Sequence, residues 1–272
     1  MVGESNPEID AVFERKVLYT NLSEPEFMGN RNAIMSLLTF ADKVEPTLWD
    51  RHEEILAAMD LQGEYQCRNL RTALVALDKI FHVLEPDPCL IPPSTVGSAT
   101  LCQENRARCL QEALINTAVR TGFRGRWEKI SDNPLTICDI GHNEHGLKYN
   151  FAQLERMKAS GKVSHLVIVY GSVADKDVDA VIHLMPENAT YIFTQAQSKR
   201  ALSAENILEK YLKYRSGMNG SEGGRCYCAS SVQEARRLAY EVASSIKSSD
   251  TSACPLVYVG GSTYVVSEFI SG

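Results

Sequence analysis

Pro134-Leu-Thr-Ile-Cys-Asp139-Ile-Gly-His142-Asn143-Glu-His145-Gly-Leu is a short apolar run that stops abruptly in an acid, a glycine, an imidazole and an amide. Leu135 to Cys138 predict a buried strand, Gly141 permits a sharp exit from it, and a helical pattern begins near His145. The polar groups therefore collect at the carboxyl end of a strand. In an open α/β sheet that is where ligands bind.

The same alternation repeats downstream. Apolar runs at 165–170, 190–194, 226–229 and 255–259 predict strands, with helical stretches near 146–160, 176–185, 203–215 and 231–247 between them. Strands separated by helices imply parallel pairing with right-handed crossovers, hence a doubly wound, mostly parallel sheet. The Gly-rich stretch 216–224 reads as a solvent-exposed loop.

Upstream the pattern is helical. Asn6-Pro7 is expected to open a first helix carrying Ile9, Val12, Phe13 and Val17, because proline suits a first turn. Ser23-Glu-Pro-Glu26 reads as a capping box. After Gly63, Leu70, Leu74, Leu77, Phe81 and Leu84 form one apolar stripe. Pro86, Pro88, Pro92 and Pro93 mark a loop, and a helix from about Gln103 to Thr121 leads into Thr121-Gly-Phe-Arg124-Gly-Arg126-Trp127. The chain thus divides into a largely helical piece, 1–123, and an α/β piece, 124–272.

With 272 residues, 44% of them hydrophobic, the chain has ample material for one large or two modest cores. No apolar run approaches the roughly 20 residues that span a bilayer, and the first residues have neither a basic start nor an apolar core of a signal peptide. A soluble cytoplasmic protein without membrane contact is expected. A formal charge of -6 argues against a nucleic-acid-binding surface, which is usually basic. Eight cysteines, none in a Cys-x-x-Cys pair, predict reduced core thiols rather than disulfides. Cys226 and Cys228 share one face of their strand. His142 and His145 have no further ligand cluster beside them, so no protein-bound metal is expected in this chain.

Residue by residue, each polar group admits a structural explanation. Arg120, Arg124 and Arg126 could be solvated or paired in a linker, Asp139 could cap a strand end, and Asn69 could be a surface side chain beside the Leu70 stripe. One acid of Asp175-Lys-Asp177 could be a helix N-cap, and Ser262 could cap the last helix. The order of the motifs says more.

Gln66-Cys-Arg-Asn69, Gly125-Arg126-Trp127, Asp139-Ile-Gly-His142-Asn143, Asp175-Lys-Asp177 and Gly261-Ser262-Thr-Tyr264 occur in the order found in the second half of the folylpolyglutamate synthase and dihydrofolate synthase family. From about Gly3 onward the chain resembles that family, whose members belong with the Mur ligases among ATP-dependent amide ligases. It departs from the family pattern where Ile140-Gly141 and Glu144 replace the usual Gly-Ala and Pro around the histidine, and where Arg124 replaces a proline before Gly125. The phosphate-cradling loop Gly-x-x-x-x-Gly-Lys-Ser/Thr occurs nowhere in the chain.

The resemblance implies a Mur-ligase-type C-terminal α/β domain at 124–272 and, at 1–123, the remainder of a central ATPase domain. It implies ligation of L-glutamate to a folate or dihydropteroate carboxylate through an acyl phosphate, with ATP and Mg2+ and with the metal ligands upstream of this chain. Asn69, Arg126, Asp139 and His142 are expected to contact ATP, and Ser262 the substrate. No residue of the chain is expected to act as a catalytic acid or base, the 272 residues alone are expected to be inactive, and the protein is expected to be a monomer. A nucleotide- or substrate-binding module without turnover, and a Mur-type ligase of cell-wall precursors, are the alternatives.

Overall fold

The structure, a computed structural model, describes residues 2–21, 30, 32, 35, 38–84, 96–217 and 224–272. It divides into two units, one comprising 1–60 and 65–121, the other 61–64 and 122–272. The expected capping box at Ser23, the proline-rich loop and most of the glycine-rich loop lie outside the described residues.

The first unit contains the helices α1 (Asp10–Asn21), α2 (His52–Ala58), α3 (Gln66–Leu84), α4 (Val96–Ile115) and α5 (Thr117–Thr121). Helix α1 starts later than its proline suggests. The Asn6 side chain accepts from the Glu8 N–H at 3.0 Å and closes a local turn first, while Asp10 accepts from the Asn6 N–H at 2.7 Å. Ile9 and Val12, expected on a buried face, are exposed. The stripe on α3 does reach the core, where Leu70 and Leu74 are buried along with Ile55 and Met59. The single helix expected over 103–121 is instead two, broken at Asn116.

The second unit is a six-stranded sheet in the order β1-β2-β6-β3-β4-β5. Its strands are β1 (Glu128–Asp132), β2 (Leu135–Cys138), β3 (His165–Tyr170), β4 (Ala189–Thr194), β5 (Cys226–Ala229) and β6 (Pro255–Gly260). All neighbours pair in parallel except β1 and β2, which form an antiparallel hairpin. The helices are α6 (Glu144–Ala159), α7 (Val178–Ile182), α8 (Ala204–Ser216), α9 (Val232–Ser249) and α10 (Thr263–Ser271).

Period-two alternation sorts the strand side chains onto two faces. Ile137, Leu166, Ile168, Tyr170, Tyr191, Phe193 and Tyr258 pack with Leu147, Phe151 and Leu154 of α6, Val178 and Ile182 of α7, and Ile207 and Tyr211 of α8. Cys138, Val167, Val169, Ile192, Val257 and Val259 meet α9 and α10 on the other face. There α9 presents Ala235, Ala239 and Ala243, so its backbone approaches the sheet closely. Each large apolar side chain fully buried this way contributes about 1.5–3 kcal/mol, and both faces of the central strands are filled with them.

The cysteines depart from expectation. Those described are free thiols, but only Cys138 is a core residue; Cys109, Cys228 and Cys254 are exposed. Cys226 and Cys228 do share a face, on the edge strand β5, where less covers them.

Candidate ligand-binding site

Three backbone segments meet at the carboxyl edge of the central strands. The Asp139 N–H donates to the Val259 carbonyl at 2.9 Å, Ile140 N–H to Gly125 O at 2.7 Å, and Gly261 N–H to Gly141 O at 3.2 Å. The ends of β2 and β6 and the 124–127 loop are thereby joined. Glycine is required where they touch. A Cβ on Gly261, whose φ is +91°, would stand 2.4 Å from the Tyr170 ring, and one on Gly125 would stand 2.7 Å from the Ile140 side chain.

Asp139 is the centre of this edge. It is 1% exposed. Its Oδ2 accepts from the Trp127 N–H at 2.9 Å, and its Oδ1 accepts from the Gly141 N–H at 2.7 Å and from Asn150 Nδ2 at 2.8 Å. A buried carboxylate is tolerated when several donors surround it in this way. Trp127 has a φ of +49°, a conformation that costs a non-glycine residue of order 1–3 kcal/mol and persists only where its surroundings enforce it. The bond to Asp139 and the burial of the Trp127 ring against Tyr258, with centroids 5.9 Å apart, supply that enforcement.

Arg126 sits between Gly125 and Trp127 in this fixed turn. Its side chain is half-buried and makes no hydrogen bond or ion pair among the described residues, whereas neighbouring Arg124 is paired with Glu128. The turn therefore holds out one guanidinium fork free to take an anion.

His142 lies at the same edge, exposed, with Nδ1 3.1 Å from the Ile140 carbonyl. Asn143 caps α6, its Oδ1 accepting from the Gly146 N–H at 2.7 Å. Ser262 is the N-cap of α10, its Oγ accepting from the Tyr264 N–H at 3.2 Å, and it is 3% exposed. Asp177 caps α7 through the Ala180 N–H at 3.1 Å. Asp175 pairs instead with Arg200 at 2.7 Å, and this bond holds the Asp175 carboxyl below its ordinary value.

The structure thus brings Arg126, Asp139 and His142 to one edge of the second unit, with Ser262 at the end of the adjoining strand. Asn69 belongs to the first unit, exposed on α3, with its Nδ2 donating to Gln66 Oε1 at 2.8 Å. Asp139 is not offered to a ligand as an open carboxylate. Its oxygens hold protein donors, so it serves to orient its neighbours. Among the described residues no group of three or more His, Cys, Asp or Glu side chains could hold a metal ion, so the site offers a divalent cation no donor set of its own.

Sequence reasoning missed three members of the site: the Trp127 backbone N–H, Tyr258, and Asn150. For Asn150 a signal exists. It falls on the buried face of α6 with Leu147, Phe151 and Leu154, and one amide in an apolar stripe asks for a polar partner.

Fold and site define a doubly wound α/β domain whose carboxyl edge is organised around one buried carboxylate. Residues 125–251 match the family described as "Mur ligase, glutamate ligase domain". The dihydrofolate synthase/folylpolyglutamate synthase of Buchnera aphidicola subsp. Baizongia pistaciae is 36% identical over 90 residues, covering 32% of this chain and 20% of the relative. The enzyme of the same description from Escherichia coli K12 is 23% identical over 125 residues, 46% of this chain and 29% of the relative. Each match thus spans less than a third of the relative's length. Among solved structures, Mycobacterium tuberculosis folylpolyglutamate synthase complexed with ADP superposes on 76% of this chain and 39% of its own with a TM-score of 0.52 at 21% identity, a likeness of fold. Among the described residues no helix is long and apolar enough to cross a membrane.

Proposed function

We propose that this chain is the C-terminal part of an ATP-dependent ligase that adds L-glutamate to a folate. In this reading residues 122–272 form the glutamate ligase domain, and the first unit belongs to the ATPase domain. The observation that carries it is the unpaired Arg126 held by the Asp139-anchored turn at the sheet's carboxyl edge, within the stretch that matches the glutamate ligase family. The relatives named above support the substrate class, and the ADP-bound relative supports the nucleotide.

The folate carboxylate must be activated before an amine can attack it. Phosphoryl transfer from ATP gives an acyl phosphate, and positioned cations stabilise the charge that develops on the phosphate oxygens. In this scheme Arg126 holds phosphate oxygens, Asp139 keeps the Arg126 turn in place, and His142 lines the same edge. Ser262 serves α10 as a cap and contributes to the substrate end only through the position of that helix. A divalent cation such as Mg2+ would neutralise phosphate charge. The pattern Gly-x-x-x-x-Gly-Lys-Ser/Thr does not occur in the sequence, and in this proposal a separate segment supplies the phosphate-cradling part. A monomeric cytoplasmic enzyme is part of the same proposal.

The test is phosphate release with ATP, Mg2+, a reduced folate and L-glutamate. The 272 residues alone should release none, and joining them in cis to the phosphate-loop segment of the Escherichia coli relative should give release that requires both folate and glutamate. Folate- and glutamate-dependent release by the 272 residues alone would contradict the division of labour. Release by the joined protein with a different acid acceptor would contradict the substrate.

A further inference from the structure

We propose that Asn150, deep in α6, is a positioning residue for the Arg126 turn, acting through the Asp139 carboxylate and the Tyr258 ring. Asn150 is 1% exposed. Its Nδ2 donates both to Asp139 Oδ1 at 2.8 Å and to the Tyr258 hydroxyl at 2.9 Å. Among the described residues its Oδ1 is buried without a hydrogen-bond partner.

That asymmetry says what the amide is for. A leucine of similar volume would continue the Leu147, Phe151, Leu154 stripe but would give neither Asp139 nor Tyr258 a donor. The amide cannot be turned over to relieve the oxygen, because that would set two acceptors against each other at the carboxylate. Asn150 is therefore held as a two-way donor.

Both donations lead to the same place. Through Asp139, whose other oxygen holds the Trp127 N–H at 2.9 Å, Asn150 fixes the backbone immediately after Arg126. Through Tyr258, whose ring lies 5.9 Å from the Trp127 ring and 6.2 Å from that of Phe151, it fixes the side chain that anchors the turn. The Tyr258 hydroxyl in turn occupies the space a Cβ on Gly260 would need, 2.6 Å away, so only glycine at 260 admits this ring position. With Trp127 in a left-handed conformation, the turn relaxes as soon as either hold weakens. Asn150 need touch no ligand to govern where the Arg126 guanidinium points.

The effect on a ligand rests on the nucleotide reading above; the effect on the turn does not. The test measures both, with Asn150→Leu in the 272-residue protein. Amide hydrogen exchange at Trp127 should accelerate at least tenfold relative to amides of β3, and ADP affinity by calorimetry should fall about threefold to tenfold. Asn150→Asp, which puts a second carboxylate against Asp139, should exceed both effects. Should Asn150→Leu fail to fold, Asn150→Ala is read by the same measurements. Unchanged Trp127 exchange would overturn the proposal whatever the ligand does. Faster exchange with unchanged ADP affinity would overturn the link to Arg126. If the unaltered protein binds no ADP, the nucleotide reading fails, and Trp127 exchange alone then decides the positioning role.

Discussion

Replacing Asp139 by alanine should destabilise the second unit by about 2–6 kcal/mol. The carboxylate accepts from two buried backbone N–H groups, those of Trp127 and Gly141, and from Asn150. Asn150 keeps the Tyr258 hydroxyl as a partner, but the two backbone donors are left without an acceptor. A buried donor that loses its partner costs about 1–3 kcal/mol, and two of them give the range stated. Water entering the vacated space would bring the loss toward its lower end. Against a typical domain stability of about 5–15 kcal/mol, this is a large fraction. Urea unfolding followed by Trp127 fluorescence, in a Trp49→Phe background that silences the only other tryptophan, reports on the second unit by itself. A shift equivalent to less than about 0.5 kcal/mol would refute the reasoning, because it would mean that Asp139 carries no internal bonds worth keeping. The sequence alone gives the opposite expectation, of weakened nucleotide binding with an intact fold; burial of the carboxylate is what reverses it.

Three further outcomes follow from the same geometry. Gly261→Ala should lower the melting temperature of the second unit by several degrees, since its Cβ would enter the Tyr170 ring from a φ of +91°; an unchanged melting curve would contradict the close approach. The Cys138 thiol, which burial and then the Glu128 charge push up to about 12, should react with a disulfide reagent at pH 8 only on unfolding, while exposed Cys109 and Cys254 react in the folded protein. Burial, followed by the charges of Lys158 and Arg225, lowers the His165 pKa below its ordinary 6.5. The unfolded chain then binds this proton more readily, so the contribution of His165 to stability is complete above pH 6.5 and is lost as pH falls toward the lowered value. His165→Gln should flatten that part of the stability profile, and an identical acid slope in the variant would refute the assignment.

How far the sequence disclosed all this depends on the kind of signal. The parallel strands other than the edge strand β5 were legible because each is a largely apolar, mostly buried run bounded by helical periodicity; Leu135–Cys138 and His165–Tyr170 are found where they are predicted. Strand β1 was not, because Glu-Lys-Ile-Ser-Asp at a sheet edge carries one apolar residue and needs only a hairpin partner. The start of α1 was misread because a side-chain turn at Asn6 competes with the proline signal, a choice made by local hydrogen bonds rather than by pattern. At the site, the motif located Arg126, Asp139 and His142 on one edge. It could not show that Asp139 points inward. That depends on Trp127 and Asn150, 12 and 11 residues away in sequence, converging on one carboxylate once the sheet is formed.

The central claim is that the carboxyl edge carrying Arg126 receives the nucleotide. It is tested most directly by titrating the 15N-labelled protein with ADP and mapping the amide shifts. The account predicts saturable shifts at Arg126, Trp127, Gly141 and His142 that vanish in Arg126→Ala. Shifts confined to the opposite edge of the sheet, at the roughly 870 Å3 cavity lined by Lys158, His165 and Arg225, or none at all with ADP at millimolar concentration, would contradict it.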